Sequence, residues 1–296
     1  VIVVAGASGF IGRALCAELE RRGLRITRVG RRATADIHWP APGEEFDAVA
    51  VRTFAGARAV VSLVGESISR RWTAARKQEI RDSRVRLTGA LARALARAGD
   101  RPPPLVSGSA VGIYGDRGDE WLDESSAPGA DFLADVAREW EAATAPATEA
   151  GARVVLLRSG VVLGRGGGLL GRLALPFQLG GGARLGSGRQ WLSWISLADA
   201  VRVIVRAIDD AAMRGPVNLV SPAPVRNAEF TAALARALHR PAVLTVPAPV
   251  LRLAFGEMAD GVLLASQRVR PAVLERSGFV FDHPSIEAAL RAAFAS

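Results

Sequence analysis

The 296-residue chain has one cysteine and one tyrosine, and of its 38 basic residues all but Lys77 are arginine. The lone Cys16 excludes an intramolecular disulfide framework and a cysteine-ligated zinc site, fits a reducing compartment, and sits in an apolar helical pattern that reads as core. No apolar run approaches the roughly 18 to 20 residues of a membrane span. The N-terminus enters a strand-like run at once instead of a charged-then-apolar leader. A cytoplasmic protein with no membrane contact and no metal is therefore expected.

Clustered basic residues are also missing. The net charge of +9 and the pI of 11.2 suggest a phosphate-backbone partner only where cations gather in a patch. Here the arginines are spread along helical faces, as in "RVRLTGALARALARAG" from Arg84 to Gly99. They read as a solvated surface, so no nucleic-acid partner is expected. With 49% hydrophobic and 23% charged residues the composition is that of a folded globular chain. At about 100 to 200 residues per domain, the length suits a Rossmann core plus a smaller second lobe.

Strand-like runs alternate with helical patterns: "VIVVAG", a helix from Phe10 to Arg22, "RITRVG", "ARAVVSLVG", a long helix from about Ala74 to Ala98, then "PLVSGSA". A helix from Phe132 to Ala150 leads into "ARVVLLRSGVVLG", and "WLSWISLADAVRVIVRAI" reads as a short strand followed by a helix. Such alternation implies right-handed crossovers and a doubly wound parallel α/β sheet, a Rossmann fold. Beyond Pro216 the chain is punctuated by proline. The expected organisation is a cofactor-binding Rossmann domain over 1–215, with an insertion around 165–195 contributing to the substrate lobe, and a C-terminal substrate or lid lobe over 216–296.

The sharpest motif is Gly6-Ala7-Ser8-Gly9-Phe10-Ile11-Gly12, placed directly after an apolar strand and opening an amphipathic helix. Glycine at these positions lets the backbone turn tightly and approach a pyrophosphate, whose charge meets free N–H groups at the positive end of the helix. The second strand ends in Arg28-Val29-Gly30-Arg31-Arg32, with no acid to bond a ribose 2′-hydroxyl. Arginine there accommodates a 2′-phosphate, so NADP(H) is expected, clamped by Arg31 and Arg32.

"SGSAVGIYG" at 107–115, "LRSGVVLG" at 157–164 and "WISLADAV" at 194–201 resemble landmarks of the extended short-chain dehydrogenases/reductases, the group of the sugar-nucleotide epimerases and dehydratases. Residues 60–88, 186–201 and 256–281 resemble more closely the YfcH-like epimerase family, an atypical branch with a C-terminal region of the DUF1731 kind, and this likeness spans essentially the whole chain. It implies an NADP(H)-dependent oxidoreductase or a nucleotide-sugar epimerase or dehydratase. It also implies that Gly6, Gly9 and Gly12 lie at the pyrophosphate together with Ser8, Phe10 and Ile11, and that Leu63, Val64 and Gly65 lie beside the cofactor. Ser109 falls on the serine that bonds a substrate hydroxyl or carbonyl. Some relatives are described as cell-division-inhibitor-like. The resemblance admits a homodimer through helices, although no exposed stripe demands one.

One departure from the pattern changes the chemistry. The usual tyrosine transfers a proton while a lysine four residues on lowers its pKa from about 10. Here Phe132 or Leu133 stands near the tyrosine position and Val136 or Ala137 near the lysine position. The sole tyrosine, Tyr114, and the sole lysine, Lys77, are in the wrong order to form the pair. Either another group serves or the domain binds nucleotide without redox turnover. Glu66, after a strand end, and Tyr114, in a glycine-flanked loop, are the replacement candidates, each with a structural alternative: a capping or ion-paired acid, and a packed aromatic. Arg71, Trp72, Lys77, Arg189, Trp191 and Trp194 are candidate contacts for a polar or nucleotide-linked small molecule, and Asp199 is read as structural. Three classes remain open: an oxidoreductase or epimerase, a redox-silent NADPH-binding regulator, and, on net charge alone, a nucleic-acid binder.

Overall fold

Short apolar runs rich in valine and isoleucine, without polar alternation, are the mark of strands covered on both faces. Seven strands form one sheet in the computed structural model, which describes residues 1–294. The chain begins with β1 (Ile2–Ala5), α1 (Phe10–Arg21), β2 (Ile26–Gly30), β3 (Ile37–His38), α2 (Ala48–Ala55), β4 (Ala59–Ser62), α3 (Ala74–Ala96) and β5 (Leu105–Ala110). It continues through β6 (Trp121–Leu122), α4 (Phe132–Ala142), α5 (Ala145–Glu149), β7 (Val154–Ser159), β8 (Val161–Leu163), α6 (Leu170–Gln178), β9 (Ala183–Leu185), β10 (Trp191–Leu192), β11 (Trp194–Ser196), α7 (Leu197–Asp209) and β12 (Gly215–Leu219). Last come β13 (Val225–Arg226), α8 (Asn227–Leu238), β14 (Leu244–Val246), α9 (Ala248–Phe255), β15 (Arg268–Val269), α10 (Ala272–Arg276) and α11 (Ile286–Phe294).

The main sheet runs β12-β7-β5-β4-β1-β2-β3 and every pairing in it is parallel. Strand order reverses between β1 and β4, so the chain leaves those two strands in opposite directions and opens a crevice at their C-terminal ends, where ligands bind in such sheets. All residues of β1 and β4 are buried. Leu15 and Leu19 of α1 pack with Val203 and Ala207 of α7 on one face, and Phe54, Leu91 and Leu95 cover the other. Each buried leucine contributes about 1.5–3 kcal/mol relative to exposure, so the crevice floor rests on a core packed on both faces of the sheet.

The helix expected from Phe132 to Ala150 is two helices. Pro146 stands in the first turn of α5, where its missing N–H costs nothing, whereas inside one continuous helix it would remove a hydrogen bond and clash. The domain boundary expected at 215/216 falls inside β12, which pairs with β7 in the main sheet. Leu274, Phe279 and Phe281 return from the C-terminal stretch to the Rossmann core. The second lobe gathers around Phe177, Trp194, Phe230, Leu234, Ile286 and Leu290, stitched by the two-stranded pairs β8/β11, β9/β14, β10/β13 and β6/β15. Among the described residues no helix is long and apolar enough to cross a membrane.

Candidate dinucleotide site

The turn after β1 is built for hydrogen in place of a side chain. Gly6 has φ +83°, and a Cβ there would stand 2.7 Å from the Leu63 carbonyl oxygen; a Cβ on Gly12 would stand 2.1 Å from the Gly6 carbonyl oxygen. The Gly9 amide donates to that same oxygen at 2.9 Å, and Gly9 caps α1 in an extended conformation. No acid occupies the first turn of α1, so the positive end of the helix is left uncompensated for an anion. In front of it opens a crevice of about 600 Å³ whose walls include Gly6, Ser8, Gly9, Leu63, Val64 and Gly65. A cradle that any Cβ would fill, facing an uncompensated helix N-terminus, fits a dinucleotide. Phe10 and Ile11 direct their side chains elsewhere. The Phe10 ring fills the space that Cβ atoms at Gly164, Gly167 and Gly168 would need, and Ile11 packs against the core on the α1 side.

The far end of the crevice is bordered by Gly30, Arg31, Trp39, Glu66, Arg76 and Arg86. Arg31 donates to Glu66 at 3.0 Å, and Arg76 approaches the other oxygen of the same carboxylate at 3.8 Å. Arg32 is exposed and does not line the crevice, so of the two arginines expected to clamp a phosphate only Arg31 borders it, with Arg76 of α3 on the same lining. The reason is geometric: β2 ends at Gly30 and the chain turns at Arg32, whose carbonyl accepts the Ala35 amide at 2.9 Å. Beneath this end lies Arg84, donating to the Glu66 and Ile80 carbonyls at 2.9 and 3.0 Å. Burial pulls its guanidinium pKa down to about 10, partly offset by the Glu66 carboxylate.

Ser109, Tyr114 and Glu66 each have a partner within the fold. Ser109 is 3% exposed and its hydroxyl donates to Glu141 at 2.6 Å. Glu141 is gripped by both ends of the Arg158 guanidinium at 2.8 and 2.9 Å. Tyr114 is fully buried; its hydroxyl donates to Asn218 at 2.7 Å and accepts from Arg158 at 3.1 Å, which turns it from a candidate acid into a core residue. At the tyrosine and lysine positions, Phe132 and Val136 belong to an apolar cluster with Trp72, Ile80 and Met258. Glu66 sits at the crevice end with its arginines, as an ion-paired acid.

Burial raises the Tyr114 pKa above its ordinary value of 10.0, and the neighbouring Arg158 partly opposes the rise. A folded pKa above the unfolded one means that the contribution to stability is complete below about pH 10 and is lost as pH climbs through the folded value. Because Tyr114 is the only tyrosine, the near-ultraviolet tyrosinate band reports this one group. The band is expected to appear only above the ordinary range, together with loss of native circular dichroism. A band that titrates near pH 10 in the intact fold would contradict the buried placement.

The six candidate substrate contacts do not converge. Trp72 is core, its indole N–H donating to the Ile68 carbonyl at 2.8 Å. Trp194 is fully buried and donates to the Ala223 carbonyl. Arg71 donates to the Leu253 carbonyl at 3.1 Å, and Lys77 pairs with Glu257 at 2.5 Å beneath the Phe132 ring, so both tie the entrance of α3 to the second lobe. Trp191 holds the guanidinium carbons of Arg226 and Arg268 at 4.1 and 4.3 Å from its ring centroid, and its indole N–H donates to Asp119. Arg189 is exposed. Asp199 is fully buried and accepts from Ser196, Arg202 and the amides of Asp282 and His283, the structural role expected of it.

Trp39, Arg76, Arg86, Glu141 and Arg158 escaped the sequence reading. Arg76, Glu79, Ser83 and Arg86 recur at helical spacing and share one face of α3, a signal that was present but that also fits any solvated helix face. Nothing local links Arg158 to Glu141 or Tyr114; strand and helix bring them together only in the fold.

A parallel sheet in this order with a three-glycine turn at its switch point defines a dinucleotide-binding Rossmann protein of the extended short-chain dehydrogenase/reductase class. Residues 2–219 match the NAD dependent epimerase/dehydratase family, to which the chain belongs, and residues 246–293 match a domain of unknown function, DUF1731. The chain is 49% identical over 294 residues to the epimerase family protein Mb2239 of Mycobacterium bovis, covering 98% of this chain and 96% of that one. It is 36% identical to the human epimerase family protein SDR39U1, covering 98% of each. The crystal structure of human SDR39U1 (isoform 2) with NADPH superposes with a TM-score of 0.88 at 33% identity, over 99% of this chain and 98% of that one.

Proposed function

We propose that this chain binds NADP(H) in the β1/β4 crevice, with the adenosine 2′-phosphate on Arg31 and Arg76, and works as an NADP(H)-dependent oxidoreductase on a small polar carbonyl or hydroxyl compound. The observation that carries the reading is the glycine cradle facing an uncompensated helix end, with guanidiniums at its far side. The human relative crystallised with NADPH supports it. The amides from Gly6 to Gly12 receive the pyrophosphate, Leu63 to Gly65 line the opposite wall, and Trp39 offers a flat face beside the adenosine end. The bound cofactor supplies a hydride. The chain's part is to orient the partners and hold a proton, and with Phe132 and Val136 in an apolar cluster the hydroxyl assigned to the substrate is that of Ser109, held by Glu141. That same cluster favours the second reading, a redox-silent NADPH-binding regulator.

Calorimetric titration with NADPH and NADH, on the wild type and on Arg31→Ala and Arg76→Ala, tests the first part. NADPH is expected to bind preferentially and to weaken about tenfold or more in each variant, the scale of one charge-assisted hydrogen bond. Hydride transfer from deuterated NADPH to a panel of carbonyl compounds, lost in Ser109→Ala, tests the second. Tight NADPH binding with no hydride transfer to any carbonyl would favour the regulator, and no nucleotide binding at all would sink the cofactor reading.

A further inference from the structure

We infer that Glu66 is the selector of the crevice: its carboxylate stands where an adenosine 2′-phosphate would bind, held by the same two guanidiniums, and its displacement sets the preference between phosphorylated and unphosphorylated dinucleotides. This inference rests on the cofactor reading given above.

The carboxylate bridges Arg31, from the end of β2, and Arg76, from the first turn of α3. All three side chains line the crevice, so Glu66 ties the end of β2 to the start of α3 there. Its backbone is fixed on both sides: the Glu66 amide donates to the Ser83 hydroxyl at 3.0 Å and its carbonyl accepts from Arg84 at 2.9 Å. The side chain is free by comparison: it is 36% exposed, and among the described residues its partners are the two arginines. A change of side-chain rotamer therefore suffices to open the place, with no movement of the sheet or of α3.

The charges at this end explain why the carboxylate matters. The lining carries Arg31, Arg76 and Arg86 against Glu66, Glu79 and Asp82, a neutral set. Arg76 already has Glu79 at 2.6 Å, and its side chain is only 17% exposed. Arg31, by contrast, is 79% exposed and has Glu66 as its partner. A dianionic 2′-phosphate must take Arg31 from Glu66 and drive a like charge aside, whereas an unphosphorylated ribose can donate its 2′-hydroxyl to Glu66 where it stands. Glu66 thus performs from the end of β4 the discrimination that an acid at the end of β2 performs in other sheets of this kind.

The isosteric variant Glu66→Gln isolates the charge. In calorimetric titrations NADPH, and the fragment 2′,5′-ADP, are expected to bind about fivefold more tightly to the variant than to the wild type, the upper scale for one half-exposed ion pair. NADH is expected to bind about twofold or more weakly, because a neutral amide oxygen accepts the ribose 2′-hydroxyl less strongly than a carboxylate does. The gain for 2′,5′-ADP is expected to vanish when Arg31→Ala is added. An unchanged NADPH affinity in Glu66→Gln, an equal gain for NADH, or a gain that persists without Arg31 would each overturn the selector role while leaving the cofactor reading intact. Failure of the wild type to bind either dinucleotide would overturn both.

Discussion

Gly12→Ala is expected to abolish dinucleotide binding, reducing NADPH affinity by at least about 100-fold, and to cost about 1–3 kcal/mol of stability, the usual range for a forced overpacking. The new Cβ would lie 2.1 Å from the Gly6 carbonyl oxygen and 2.9 Å from the Ala7 Cα. Both neighbours are backbone, so no side chain can rotate away to make room. Relief requires the turn to lift off α1, and Gly6, already at φ +83° and packed on Leu63, cannot follow without breaking its own contact. The amides that face the crevice would then lose their common direction, and binding through several of them at once depends on that direction. Thermal unfolding gives an independent reading. A ligand present at a hundred times its Kd adds about 2.7 kcal/mol to the wild type, and that increment should be absent from the variant. Binding within threefold of wild type would show that the turn tolerates the methyl group and that the glycine reading of this motif is wrong.

What the sequence made legible is what is local. The order of strands and helices, the glycine turn and the cation at the end of β2 lie within short windows, and each depends on backbone geometry that residue type controls directly. Arg31 was found because it follows a strand at a fixed distance from the glycine motif; Arg76 was not, because it reaches the same place from α3, far along the chain. The absence of a tyrosine-lysine pair was also readable, since it needs only a count. What fills that place was not: Phe132 and Val136 could be named, but their burial against Trp72 and Met258 depends on a lobe whose Pro-punctuated sequence carries no clear period. Tyr114 shows the limit most plainly. A tyrosine between glycines in a loop after a strand suits packing and also admits catalysis, and Arg158 and Asn218, which decide for the core, come from β7 and β12.

The second large effect concerns that same buried network. Arg158→Met is expected to destabilise the fold by about 3–5 kcal/mol, the cost of removing one partner from a buried ion pair. The Arg158 and Glu141 side chains are 8% and 12% exposed. Arg158 also donates to the Tyr114 hydroxyl and to the Glu124 carbonyl at 3.1 and 3.2 Å. Removing the guanidinium leaves the Glu141 carboxylate with Ser109 alone to solvate its charge, and one donor cannot replace three. The penalty comes from the stranded charge more than from the lost attraction, so Glu141→Leu added to Arg158→Met should recover most of the stability in urea unfolding, whereas two independent losses would add. If Arg158→Met costs less than about 1 kcal/mol, or if the second substitution deepens the loss, Glu141 is not held as a buried anion.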